Sequence, residues 1–201
     1  MVIGIIGGVG AGKSTVLQLL KEQYGFRLIM SDDVAKQRMN EDETLKAALR
    51  RAFGDGIFTK EGRIDKAAYA ALIYSDKEAR KTSDEIVHPA CWAYLEQETK
   101  SARGKDCPER IAIETALPYH DLHTICDAVW YVFADEKTRI GRLSASRGYS
   151  EEKSRAIIKS QFSDEQFRQI ADAVIDNSGS GQETASEAAL LLKEYGIKMK
   201  E

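Results

Sequence analysis

Within its first fifteen residues the chain carries Gly7-Gly8-Val9-Gly10-Ala11-Gly12-Lys13-Ser14-Thr15. The run fits G-x-x-x-x-G-K-[ST], the pattern of a phosphate-binding loop, and its flanks decide what the match is worth. Residues 2–6 (Val-Ile-Gly-Ile-Ile) read as a short buried strand, and residues 16–20 (Val-Leu-Gln-Leu-Leu) open a helical pattern directly after the loop. Strand, glycine loop and helix, in that order, form the arrangement that phosphate binding needs. Glycines let successive backbone N–H groups converge on phosphate oxygens with no Cβ in the way. The helix N-terminus adds unpaired N–H groups and partial positive charge. Gly8, Gly10, Ala11, Gly12, Lys13, Ser14 and Thr15 are therefore the candidate nucleotide-binding residues. Lys13 is expected to reach the β and γ phosphates of ATP, and Ser14 to offer its hydroxyl to Mg²⁺.

A loop of this kind needs a sheet to stand on. Five short apolar runs, at residues 2–6, 26–30, 110–113, 128–133 and 173–175, alternate with long helical stretches. That alternation predicts an α/β fold with a five-stranded parallel sheet, right-handed crossovers and helices on both faces. Two stretches exceed a simple crossover. Residues 33–105 hold helical segments at 43–53, 66–74 and 84–99, and are expected to be a helical insertion that covers a substrate. Residues 138–161 carry Arg139, Arg142, Arg147, Lys153, Arg155 and Lys159, with Ser150-Glu151-Glu152 as a helix start. This reads as a helical hairpin with its turn near Gly148-Tyr149. Asn177 lies in a short loop before a final helix over 183–195.

The 201 residues allow one α/β domain with a sizeable core. A net charge of −3 argues against a general nucleic-acid binder, which shows a basic face. The longest apolar stretch is far short of a membrane span, and no basic leader precedes the first strand. Cys91, Cys107 and Cys126 are widely spaced and form no C-x-x-C pair, so neither zinc nor a disulfide framework is expected. These features point to a cytoplasmic protein, expected to act as a monomer on a small molecule, with no nucleic-acid or membrane partner.

Phosphoryl chemistry needs an acceptor base and positive charge on the migrating group. Asp32 follows the second strand and so stands at the carboxyl edge of the sheet, where ligands of doubly wound sheets bind. It can take a proton from an attacking hydroxyl; the plainer alternative is that Ser31-Asp32-Asp33 only caps the next helix. Arg139, Arg142 and Arg147 can supply charge from a closing hairpin, or simply form a solvated basic face. Glu114, at the end of the third strand, can hold a metal-bound water or a substrate group, or bond to a backbone amide. His88-Pro89 predicts a helix boundary, since proline favours a first turn, and His88 is a candidate substrate contact. His120 and His123 have no spacing that suggests a metal site.

Taken together, these motifs resemble the dephospho-CoA kinase family over nearly the whole chain. The opening Ile3-Gly4-Ile5-Ile6-Gly7-Gly8-Val9-Gly10-Ala11-Gly12-Lys13-Ser14-Thr15 is similar to the family's I-G-L-T-G-G-I-G-S-G-K-S-T. Asp32 with Ala35-Lys36-Gln37 is similar to D-A-D-x-x-A-R-Q. Phe53-Gly54-Asp55-Gly56-Ile57 and Glu61-Gly62-Arg63-Ile64-Asp65-Lys66 follow F-G-x-x-I-L…D-G-x-L-D-R. His88-Pro89, Cys126-Asp127-Ala128-Val129, Gln161 and residues 171–177 fall in order. The resemblance implies a single P-loop kinase domain over 1–201, of the nucleoside-monophosphate-kinase-like type, with the helical substrate-binding insertion at 33–105 and a lid at 138–161. It implies transfer of the ATP γ-phosphate to the ribose 3′-hydroxyl of dephospho-CoA. Asp32 would act on that hydroxyl, Lys13 and one or more of Arg139, Arg142 and Arg147 on the phosphoryl charge. By analogy of fold, Asn177 would border the adenine.

The sequence departs from the family pattern at three places. Met30 stands for the first Asp of D-A-D. Residues 116–120 (Ala-Leu-Pro-Tyr-His) replace P-L-L-F-E, with the acid gone. Arg142 matches the lid pattern R-x-x-x-R, whereas Ser146 holds the second arginine's place and Arg147 comes one position late. Two alternatives follow: a kinase of another nucleotide or small hydroxyl substrate, and a nucleotide-gated binding module.

Overall fold

The computed structural model describes residues 1–104, 109–115 and 121–200. Cys107, His120 and the departure at 116–120 lie outside the described residues. Among the described residues five strands form one parallel sheet: β1 (Val2–Ile6), β2 (Arg27–Met30), β3 (Ile111–Glu114), β4 (Ala128–Phe133) and β5 (Ala173–Asp176). Their order is β2-β3-β1-β4-β5. All five residues of β1 are buried. A parallel strand covered on both faces has no polar side, which explains the unbroken apolar run. Ile3 pairs with Ala112 of β3 on one side and Ala128 of β4 on the other. The winding reverses at β1, because β2 and β3 lie to one side and β4 and β5 to the other. The carboxyl end of β1, where the glycine loop begins, is thus the switch point of the sheet.

The helices follow in chain order: α1 (Lys13–Tyr24), α2 (Ser31–Glu41), α3 (Glu43–Phe53), α4 (Lys66–Ser75), α5 (Lys77–Arg103), α6 (Glu136–Arg147), α7 (Glu151–Lys159), α8 (Asp164–Ile170) and α9 (Gly181–Glu194). The chain divides into two compact units, Met1–Met30 with Thr99–Glu201, and Ser31–Glu98. In the first, Val16, Leu17, Leu20 and Tyr24 of α1 and Ala188 and Leu192 of α9 pack with Ile3, Ile5, Trp130, Val132 and Ile175 of the sheet. That apolar layer fixes the start of α1 against the end of β1. The expected strand at 26–30 begins one residue later. Phe26 is buried, and its N–H bonds to the Leu20 carbonyl rather than joining the ladder.

In the second unit, Asp42 and Asp65 cap α3 and α4, each accepting two backbone N–H groups. Asn40 of α2 accepts the Ile64 N–H at 3.0 Å, which ties the turn around Gly62 to that helix. The helix boundary expected at His88-Pro89 is absent: α5 runs without a break from Lys77 to Arg103, with Pro89 inside it. Proline removes one helical hydrogen bond and crowds the preceding turn, at a cost of about 3 kcal/mol. The helix continues because Ala79, Ser83, Val87, Cys91 and Leu95 are buried at four-residue spacing on both sides of the proline. Packing of that continuous face outweighs the local penalty.

Candidate active site

Gly12 is the N-cap of α1 at φ 86°, and no side chain caps this helix end. That leaves the first-turn N–H groups of Lys13 and Ser14 without a capping side chain. Loop geometry is held from inside by Ala11 N–H bonding to the Gly8 carbonyl (3.2 Å) and Thr15 N–H to the Gly12 carbonyl (2.9 Å). The side chains of Ser14 and Thr15 are exposed. Gly8, Gly10, Ala11, Gly12, Lys13, Ser14 and Thr15 thus lie together at the carboxyl end of β1.

Lys13 Nζ donates to the Gly7 carbonyl at 2.9 Å and lies 3.2 Å from Glu114 Oε1. The two side chains are 13% and 12% exposed, so the pair is largely shielded from water. Glu114 is the last residue of β3 rather than a residue beyond it, and β3 lies next to β1. The structure therefore brings Glu114 to the phosphate loop through the lysine.

Side chains from the last third of the chain grip the loop's carbonyls. Arg139, nearly fully buried on α6, donates through Nε to the Val9 carbonyl at 2.9 Å. Burial lowers its guanidinium below the ordinary value, while Tyr131, Asp164 and Glu136 favour the charged form. An arginine remains protonated under such opposing effects. Arg142, one helical turn on, donates to the Ala11 carbonyl at 3.1 Å and the Asn177 carbonyl at 2.7 Å. Asn177 is buried; its Nδ2 donates to the Ala11 carbonyl at 2.7 Å, and its Oδ1 accepts from Thr184 at 2.8 Å. A Cβ at Gly12 would collide with that Nδ2, so glycine is required there for space as well as for its φ. Asn177, expected to border adenine, has its side-chain amide committed to the loop backbone. Arg147 stands apart: it is exposed at the end of α6, with its guanidinium 5.9 Å from the Tyr149 ring centroid.

Asp32 is exposed in the first turn of α2, two residues beyond the end of β2. It is a residue of the helix rather than a residue preceding it. His88 Nε2 lies 3.6 Å from Asp84 Oδ1, one turn earlier on α5. His123 sits between Asp121 (3.2 Å) and Asp172 (3.1 Å). Among the described residues no cluster of three or more His, Cys, Asp or Glu could hold a metal, and no helix is long and apolar enough to cross a membrane.

Two features escaped the sequence reading. Helix α8 is opened by a capping box, with Ser163 and Gln166 bonding each other's backbone N–H; the spacing S-x-x-Q was visible in Ser163-Asp164-Glu165-Gln166. Asp127 accepts the Val2 N–H at 2.7 Å and Asp172 the Val129 N–H at 2.7 Å. Each aspartate of a D-A-V tripeptide thus binds the first or second residue of the neighbouring strand, at the edge of the sheet away from the loop. The repeated tripeptide was its only sequence signal.

The family described as CoaE, dephospho-CoA kinase, matches residues 1–183. The dephospho-CoA kinase of Staphylococcus haemolyticus is 33% identical over 202 residues, spanning 100% of this chain and 98% of that one. That of Geobacillus kaustophilus is 32% identical over 196 residues, spanning 97% and 96%. The crystal structure of TT1252 from Thermus thermophilus shares the fold at a TM-score of 0.75 and 29% identity, over 96% of this chain and 97% of that one. The chain belongs to the dephospho-CoA kinase family.

Proposed function

We propose that this protein transfers the γ-phosphoryl group of ATP to the ribose 3′-hydroxyl of dephospho-CoA, releasing coenzyme A and ADP. The observation that carries the reading is the uncapped start of α1 at the switch point of the sheet, with Lys13 held at its mouth, in a chain of this family. The hydroxyl oxygen attacks the γ-phosphorus, the bond from that phosphorus to the β–γ bridging oxygen breaks, and the hydroxyl proton passes to the Asp32 carboxylate. Lys13 exchanges Glu114 for the β and γ phosphates and offsets the charge that develops there. N–H groups of Gly10, Gly12, Lys13 and Ser14 hold the phosphates. Arg142 and Arg147 stand on the hairpin that supplies further positive charge, and His88 serves the acceptor side.

Mg²⁺ fits the donors present. The exposed Ser14 hydroxyl is a hard oxygen ligand, and with no acidic cluster among the described residues the remaining ligands come from ATP phosphates and water, as this cation prefers. When bound, the ion neutralises charge on the triphosphate. We read the protein as a cytoplasmic monomer acting on a small molecule, and the net charge of −3 speaks against a nucleic-acid partner.

Met30, in place of the family's first Asp of D-A-D, favours a second reading in which a different hydroxyl compound is the acceptor. An ADP-release assay run side by side with dephospho-CoA, nucleoside monophosphates and no acceptor separates the cases. Dephospho-CoA is expected to be turned over fastest. Equal phosphate release without any acceptor would turn the assignment toward a nucleotide-gated module.

A further inference from the structure

Gln161 follows α7 and belongs to no helix, yet its side chain reaches the phosphate loop. Its Oε1 accepts the Val9 N–H at 2.8 Å and lies 3.4 Å from a terminal nitrogen of Arg139. The same guanidinium donates through Nε to the Val9 carbonyl at 2.9 Å. Both polar groups of Val9 are therefore held by one coupled pair of side chains. Gly8 makes room for the pair, since a Cβ there would strike the Arg139 guanidinium and come within 3.2 Å of Gln161 Oε1.

The consequence lies in peptide geometry. In a planar trans peptide the C=O and the following N–H point in opposite directions. Holding the Val9 carbonyl toward Arg139 turns the Gly10 N–H the other way. Holding the Ala11 carbonyl toward Asn177 and Arg142 turns the Gly12 N–H likewise. Loop glycines are free to rotate these peptides, so the preferred orientation has to come from outside the loop.

We propose that Gln161 is a positioning residue for the nucleotide: it fixes the Gly8–Val9 peptide directly and, by holding the Arg139 guanidinium, the Val9–Gly10 peptide at one remove, which presets the Gly10 N–H for the phosphates. It touches neither ATP nor acceptor in this role. The proposal rests on the assignment of residues 7–15 as the phosphate-binding loop, and it makes Arg139 a partner of the loop backbone rather than of the transferred phosphoryl group.

The test uses Gln161→Met, which keeps length and removes the amide acceptor, and Gln161→Asn, which keeps the amide and shortens its reach. ADP affinity with Mg²⁺ is measured by titration calorimetry, KM for ATP and for the acceptor by turnover, and folding by Tm. Both variants should bind ADP about tenfold more weakly, the loss expected for a hydrogen bond to a charged or preset group. KM for ATP should rise in parallel, while KM for the acceptor stays within about twofold and kcat within about threefold. Where one variant fails to fold, the other carries the comparison. ADP affinity equal to wild type in a folded variant, or an equal rise in both KM values, would overturn the proposal. Failure of the wild-type protein to bind ADP would instead overturn the phosphate-loop assignment itself.

Discussion

Lys13 and Glu114 form an ion pair of 3.2 Å at the carboxyl edge of the sheet, the lysine from the first turn of α1 and the glutamate from the end of β3. The same ammonium lies beside the Gly7 carbonyl, at 2.9 Å. It also gives Glu114 a partner that it needs, because a shielded carboxylate without a cation is costly.

Lys13→Ala should therefore have two separable effects. Transfer should fall by at least about 10²-fold through loss of charge on the phosphates. Stability should fall by about 1–3 kcal/mol because Glu114 is left unpaired. The double variant Lys13→Ala/Glu114→Gln should regain most of the Tm and none of the turnover. Recovery of turnover in the double variant would show that the lysine serves only to neutralise Glu114.

Asp32→Asn should keep ADP affinity and lower kcat by about 10²- to 10⁴-fold, the usual contribution of a catalytic base. Asp32 is exposed in the first turn of α2, where an acid stabilises a helix by only about 0.3–1 kcal/mol. A variant that changes Tm alone, with kcat intact, would reduce Asp32 to a helix-start residue.

The hairpin arginines are expected to rank by what they hold. Arg142 touches both the Ala11 and Asn177 carbonyls, whereas Arg147 is exposed beside Tyr149. Arg142→Ala should lower kcat/KM for ATP about tenfold or more, and Arg147→Ala less, when both are assayed at saturating acceptor. A larger loss in Arg147→Ala would place the working charge at the hairpin turn.

The sheet and the loop were legible in the sequence because their causes are local. The apolar run at 2–6 has one reading once a glycine loop follows it, and Ala128–Phe133 is buried from its first residue to its fifth. His88-Pro89 misled for the opposite reason. A proline is a strong local signal, but the buried face from Ala79 to Leu95 that overrides it is set by tertiary packing. Asn177 and Arg139 were candidates from the sequence, for the adenine and for the phosphoryl charge, while their hold on loop carbonyls was not foreseen. Contacts across 166 and 130 residues leave no trace in spacing.

Asp127 and Asp172 belong to that long-range class and give a stability prediction. Each accepts a strand N–H at 2.7 Å, and each also meets a cationic or imidazole side chain, Arg103 or His123. Asp127→Ala and Asp172→Ala should each cost about 1–3 kcal/mol, read by urea denaturation, with KM for ATP unchanged. Unchanged midpoints would show that water replaces the carboxylates without penalty.

Burial pushes the Cys126 thiol up to about 12 and the Cys91 thiol up to about 11. Both should stay protonated and unreactive toward a thiol reagent at pH 8 in a Cys107→Ser background, and react on unfolding. The unfolded chain ionises these thiols at about pH 8.5, so stability should fall as pH rises above that value. Rapid labelling of the folded protein would contradict the buried placement.

The transferred phosphate should reside on the ribose 3′ oxygen of the product. After turnover of dephospho-CoA with ATP, the phosphorus–proton coupling of the product's new monoester should connect it to the ribose proton at the 3′ carbon. Coupling to any other position, or inorganic phosphate as the sole new phosphorus signal, would contradict it.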